Sequence, residues 1–178
     1  MGTGSAAEPG ATGPHENPVG TGSAAEPGAT GPHENPKPSL QERLASVLDD
    51  VLPVAEESDG ALTVRHGETF ASLRVVNIAE GLDLVSLTQI VVWDLPLTKK
   101  VSDQVAKYAH DSNFGSVTLV EKVSDKAVQR NSGRSASKTA DVMLRYNFPG
   151  AGLTDEALRT LILLVLDAGA QIRHALTG

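Results

Sequence analysis

Residues 62–95 have the sequence LTVRHGETFASLRVVNIAEGLDLVSLTQIVVWDL. Three segments in this stretch, 62–66, 70–78 and 82–95, are rich in β-branched and other apolar residues, which are typical of strands. The connections between them are His-Gly-Glu and Ala-Glu-Gly, which are short and contain turn-forming glycine. Because connections this short join antiparallel neighbours, the stretch predicts a three-stranded antiparallel meander.

Five further elements flank the meander. Ser39 followed by Glu42 forms a capping box, which predicts a first helix that ends near Pro53. The remaining predicted elements are a helix over 98–113, strands over 117–123 and 141–148, and a last helix over 154–176. The resulting order, α-β-β-β-α-β-β-α, predicts an α+β fold with one antiparallel sheet.

The first 37 residues differ in composition from the rest. Residues 2–18, GTGSAAEPGATGPHENP, recur unchanged as residues 20–36, and Met1 and Val19 are the only large apolar residues before Lys37. A segment with so little apolar surface cannot offset its ordering entropy, so we expect residues 1–37 to be a disordered tail and residues 38–178 to form a single domain. The repeat is either a linker or a two-copy peptide ligand, and either a recent duplication or an appended segment.

Composition limits the partners of the chain. With 178 residues, no cysteine and a net charge of −7, the chain allows no disulfide framework, and its acidity disfavours nucleic acid as a partner. No apolar run is long enough to cross a bilayer, and the N-terminus lacks the pattern of a signal peptide. These features predict a cytoplasmic protein without membrane insertion.

Sequence motifs for catalysis, metal binding or cofactor binding are missing. Neighbouring carboxylates lie at predicted helix ends, the five histidines lack metal-ligand spacing, and there is no nucleophile elbow or phosphate-binding loop. We therefore expect no enzyme activity, no cofactor and no metal. One alternative remains: Gly150 and Gly152 precede the last helix, whose free amides could bind an anion, as in a small-ligand or nucleotide-sensing domain.

The last predicted helix is unusually apolar. Its buried face is predicted to contain Leu158, Leu161, Ile162, Val165, Ile172 and Leu176. Leu163, Leu164 and Leu166 lie outside that face, so they must meet a second surface, in a partner or in the first helix beside them. These three leucines are therefore candidate partner-binding residues.

Other partner-binding candidates lie in the strands and in a hairpin tip. Trp93, near the end of the third predicted strand, fits a core and an interface equally well. The hairpin tip over 124–139 is locally basic and contains Lys126, Arg130 and Arg134, which could contact phosphate or an acidic partner. By contrast, Phe70, Val76, Ile78 and Val92 are predicted to belong to the core.

The second predicted helix ends in VAKYAHDSNFG at residues 105–115 and leads into a strand. With this element order, the fifth strand over 141–146 and the turn GLTDE at 152–156, residues 38–178 resemble the YbjN family of bacterial proteins. That family, often labelled sensory transduction regulators, is similar in fold to type III secretion chaperones. The resemblance implies that helices one and three lie on one face of the sheet and that helix two lies toward a dimer interface.

The chaperone relatives bind extended client segments along apolar grooves, and the family has no catalytic residues to carry over. The sequence and the resemblance together favour a non-enzymatic protein-binding module, either chaperone-like or a regulatory adaptor, that is homodimeric and binds a protein partner. The small-ligand or nucleotide sensor is the alternative.

Overall fold

The computed structural model describes residues 37–122 and 138–178, and residues 37–178 form one compact unit. It contains three helices and six strands. In chain order these are α1 Leu40–Asp49, β1 Val54–Glu56, β2 Leu62–His66, β3 Thr69–Ala79, β4 Leu82–Pro96, α2 Lys99–Asp111, β5 Ser116–Lys122, β6 Thr139–Pro149 and α3 Asp155–Thr177.

The predicted α+β class and antiparallel sheet are confirmed, but the predicted order lacks one strand. β1 has only three residues, which is too short to give a recognisable alternation, and the first helix was predicted to extend to its start. In the structure α1 ends at Asp49, and the amides of Val51 and Leu52 both donate to the carbonyl of Leu48 in a closing turn. Pro53 then leads directly into β1, which pairs with β2.

All strand pairs are antiparallel, and the order across the sheet is β1-β2-β3-β4-β6-β5. The β2-β3-β4 meander is therefore present as predicted. β6 lies beside β4, and β5 forms the edge beyond β6. The register of β4 with β6 shifts twice, between Ile90 and Val92 and between Val92 and Leu95.

The three helices pack against the same face of the sheet, which we call the covered face. Helices α1 and α3 contact each other and the middle strands, whereas α2 contacts β5 and α3. Buried side chains from all three helices and from β2 to β6 form one cluster; its fully buried members include Leu44, Leu48, Leu62, Leu73, Leu87, Leu144, Leu158, Ile162 and Leu166. The expectation that helices one and three share a face is confirmed.

Helix α3 approaches the sheet closely at Gly169. A Cβ atom at Gly169 would overlap the side-chain amide of Gln89, which is fully buried on the covered face of β4. The Gln89 Nε2 donates to Thr69 Oγ1 at 2.8 Å and to the Leu166 carbonyl at 3.1 Å. The Gln89 Oε1 has no hydrogen-bond partner among the described residues. A polar contact therefore holds the middle of α3 to β3 and β4.

Candidate functional site

The opposite face of the sheet, which we call the open face, is covered by no helix of the described chain. At one end, Phe70, Ile90 and Met143 face each other across β3, β4 and β6. Ile90 and Met143 are half-buried, and Phe70 is 46% exposed beneath the guanidinium of Arg65. Exposed Trp93 and Val120 extend this apolar region toward the ends of β4 and β5.

A polar band separates this apolar end from a second one. Across β3, β4 and β6 the band contains Arg74, Ser86 and Asn147 in one row and Ser72, Thr88 and Arg145 in the next. The Arg74 guanidinium donates to Asp59 at 2.6 Å and lowers the pKa of that carboxyl. Beyond the band, the second apolar end contains Val76, Ile78, Leu82 and Leu84.

Four apolar residues of the strands were predicted to belong to the core, and three of these predictions are wrong. The side chains of Phe70, Val76 and Ile78 are exposed, and only Val92 of that group is buried. The reason is their position in the strand. Phe70 and Val76 alternate with the buried Ala71 and Leu73 and with the half-buried Val75, so they point to the other side of the sheet. A continuous run of apolar residues in a sequence does not reveal that only one face of a strand is covered.

Trp93 lies at the irregular end of β4 and is 55% exposed. The ammonium group of Lys122 lies 5.5 Å from the centroid of its ring, at a cation–π distance. The next residue, Asp94, has a φ of 50°, which is unusual for a residue other than glycine. Its amide donates to Asp141 Oδ1 at 2.9 Å, so the buried carboxylate of Asp141 holds this turn.

Lys122 connects the two carboxylates beside Trp93. Its Nζ lies 2.8 Å from Asp141 Oδ1 and 3.0 Å from Asp94 Oδ1. The hydrogen bonds to Asp141 and then to Asp94 raise the pKa of Lys122. The ammonium group therefore remains charged at neutral pH and fixes the end of β4 against β5 and β6, with Trp93 exposed beneath it.

A second surface lies among the helices. A groove of about 620 Å³ runs between the end of α2 and the middle of α3. Its apolar lining is Tyr108, Phe114, Leu164, Ala168 and Ile172, and its polar lining is Asp111, Ser112, Asn113, Asp167 and Gln171. Leu164, at 46% exposed, has the same exposed fraction as Phe70. We call this site the α2–α3 groove.

The charge of the α2–α3 groove is negative. Its lining contains two aspartates and no lysine or arginine. The Asp111 carboxylate contacts His110 at 2.9 Å, and the Asp167 carboxylate contacts His66 at 2.7 Å. Both contacts are with a histidine, which carries a positive charge only when it is protonated. Both aspartate side chains are more than half exposed, so the charge is available to a ligand.

The candidate partner-binding residues do not form one site. Leu164 lines the α2–α3 groove, and Trp93 lies on the open face, on the other side of the sheet. Leu163 is half-buried. The Leu166 side chain is fully buried in the core, so its prediction as lying outside the buried face of α3 is wrong, and of the two alternatives a second surface within the chain applies to it. The covered stripe of α3 is wider than a strict helical stripe because the sheet and α1 both contact it.

Several predictions concern residues outside the described chain. Lys126, Arg130 and Arg134 of the basic hairpin tip lie there, as do residues 1–36 of the repeated tail. Lys138 is described and lies 3.8 Å from Glu121 in an exposed ion pair.

The turn before α3 has the local bonding of an ordinary helix start. Thr154 is the N-cap and its hydroxyl accepts a hydrogen bond from the Ala157 amide at 3.2 Å. The Arg43 guanidinium donates to the Leu153 carbonyl at 2.6 Å and to Asp155 at 2.8 Å. A carboxylate therefore already lies at this helix terminus, where the alternative hypothesis expects an anion to bind.

The described residues lack two further features. Neither 37–122 nor 138–178 contains a group of three or more His, Asp or Glu side chains placed to hold a metal ion. Among the helices of the same ranges, none has the length and apolarity required to cross a membrane.

No protein-family model matches the chain, and no curated protein matches it.

Proposed function

We propose that the chain is a non-enzymatic, homodimeric protein-binding module that acts as a chaperone-like protein or a regulatory adaptor. The observation that carries the proposal is the open face, where aromatic and aliphatic side chains lie in solvent on a sheet whose other face is fully packed. Monomeric proteins rarely expose a large apolar patch without a function, and such patches mark interaction surfaces. The YbjN resemblance supports the protein-binding role in this proposal, but the dimer interface proposed here is the open face and not the surface toward α2 that the resemblance implies.

The dimensions of the open face support a second copy of the chain as its occupant. Six strands at a spacing of about 4.8 Å make the face roughly 29 Å wide, and the 11 residues of β3 extend over roughly 37 Å. Shorter edge strands reduce the usable area to on the order of 800 Å², which is the share of each partner in a stable interface. Pairing two such faces would form a sheet-on-sheet sandwich.

The test compares the molar mass of the full chain with that of a Phe70→Arg variant, by light scattering after size exclusion. Phe70 lies in the apolar row with Ile90 and Met143, so a cation there would be buried in the dimer and would weaken it strongly. We expect a dimer for the parent chain and a monomer for the variant. The matched control is Leu164→Arg, an equally exposed position on the covered side, which should remain dimeric.

A small-ligand sensor is the second candidate function, because the volume of the α2–α3 groove lies within the range of small-molecule sites. A thermal-shift screen with nucleotides, metabolites and small amines tests it. A ligand at one hundred times its Kd should stabilise the chain by about 2.7 kcal/mol. If no compound raises the melting temperature, the small-ligand sensor function is ruled out.

A further inference from the structure

We infer that the α2–α3 groove binds a cationic amphipathic helical segment of a partner protein. This inference rests on the proposed protein-binding function and assigns it a second surface, separate from the open face. The groove combines an exposed leucine, further apolar side chains, and two exposed carboxylates whose ionic contacts among the described residues are with histidines alone.

The spacing of the apolar side chains indicates the shape of the occupant. Leu164, Ala168 and Ile172 lie four residues apart on α3, so they form a row about 12 Å long on one side of the helix. Tyr108 of α2 and Phe114 of the connection to β5 supply aromatic side chains to the same lining. A helix of roughly three turns with apolar residues at i, i+4 and i+7 would place its side chains along such a row, as in other helix-in-groove complexes.

Charge complementarity indicates the chemistry of the occupant. Asp111 belongs to α2 and Asp167 to α3, and no lysine or arginine lines the groove. An acidic helix placed there would meet like charges, whereas lysine or arginine beside its apolar anchors would meet the two carboxylates. The asparagine, glutamine and serine of the lining offer further hydrogen-bond partners at the rim.

The two surfaces also differ in charge. The open face contains Arg65 and Arg145, and neither has a carboxylate partner among the described residues. A cationic segment is therefore disfavoured on the open face and favoured in the α2–α3 groove.

The experiment measures fluorescence anisotropy of a labelled 12-residue peptide of leucine and lysine, with leucines at helical spacing, against the full chain. The control peptide has glutamate at every lysine position. We expect saturable binding of the lysine peptide alone, weakened about tenfold or more when salt rises from 50 to 500 mM, since exposed charges are screened over about 10 Å at 0.1 M.

Two variants locate the binding. Leu164→Arg should reduce the affinity for the lysine peptide by about tenfold or more, whereas Val51→Arg, at a comparably exposed position (43%) outside both surfaces, should leave it unchanged. The double change Asp111→Asn with Asp167→Asn should remove most of the salt dependence of lysine-peptide binding. This variant still tests the groove if Leu164→Arg alters the structure of α3. Equal binding of both peptides, or full affinity in Leu164→Arg and in the double variant, overturns the inference.

Competition with a small polyamine tests whether the groove binds small cations and not a helical segment. If spermine displaces the lysine peptide at equal charge concentration, the site recognises small cations and the assignment to a helical segment is overturned. The proposed dimer is judged separately by molar mass. A dimer that does not bind the lysine peptide contradicts the groove alone, and a monomer that binds it contradicts the dimer alone.

Discussion

The covered face and the open face belong to the same six strands but differ in what surrounds their side chains. On the covered face, Leu73 and Leu144 are fully excluded from solvent by the helices. On the open face, their strand neighbours Ser72 and Met143 are only half-buried, and Phe70 is exposed. The strands therefore stabilise the domain with the side chains of one face and leave the alternating side chains of the other face available for association.

The largest expected effect is a difference in the free energy of unfolding between substitutions at two leucines of α3. Leu166→Ala removes a side chain that is fully buried on the covered face and should lower the free energy of unfolding by about 2–5 kcal/mol. Leu164→Ala, two residues earlier and 46% exposed, should cost less than about 1 kcal/mol. Urea denaturation of both variants measures the difference. Equal losses would mean that the two positions do not differ in packing.

A somewhat smaller effect is expected where α3 meets Gln89. Gly169→Ala should destabilise by about 1–3 kcal/mol through overpacking, although alanine favours helix by up to about 1 kcal/mol. The cause is the overlap of the new methyl group with the Gln89 amide. Combining it with Gln89→Ala should give a loss smaller than the sum of the two single losses. Strict additivity in this double-mutant cycle would show that the two residues do not interact.

The third prediction concerns pH at the Trp93 end of the open face. Because the folded-state pKa of Lys122 is raised, its contribution to stability is complete below about pH 10.4, the ordinary lysine value, and is lost as pH rises through the raised pKa. Lys122→Met should therefore lose less stability than the parent chain between pH 10 and pH 12. Parallel thermal melts measure this, and identical alkaline losses would rule out the role of the ion pairs.

The smallest effect is expected from the repeated tail. Removing residues 1–36 should leave the melting temperature nearly unchanged, because this segment contains almost no large apolar residue to add to a core. A drop of several degrees on differential scanning calorimetry would mean that the tail packs on the domain.

Much of the fold could be predicted from the sequence, because alternation, turns and caps are local signals. The meander, the Ser39–Glu42 capping box and the Thr154 cap are all present. β1 was not predicted because three residues are too few to show an alternation. The first helix was predicted to end near Pro53, whereas α1 ends at Asp49 and a closing turn follows it. Gln89 gave no signal, since its burial depends on a glycine eighty residues later in the chain.

The candidate surfaces were less predictable than the fold. The excess apolarity of α3 indicated an interaction, yet only Leu164 among its three surplus leucines is exposed, and Leu166 belongs to the core. Phe70, Val76 and Ile78 were assigned to the core because a strand pattern shows which residues alternate but not whether both faces are covered. The α2–α3 groove combines residues from α2, α3 and the connection before β5, which only tertiary structure brings together.

The most direct test of the account is the molar mass in solution of the full chain, whose monomer has a mass of 18.5 kDa. If the open face pairs with a second copy, light scattering at micromolar concentration should give about twice that mass for the parent chain and for Leu164→Arg. Phe70→Arg should give the monomer mass with an unchanged far-ultraviolet circular dichroism spectrum. A parent chain that remains monomeric up to 100 µM, or a Phe70→Arg variant that remains dimeric, would contradict the assignment of the open face as the dimer interface.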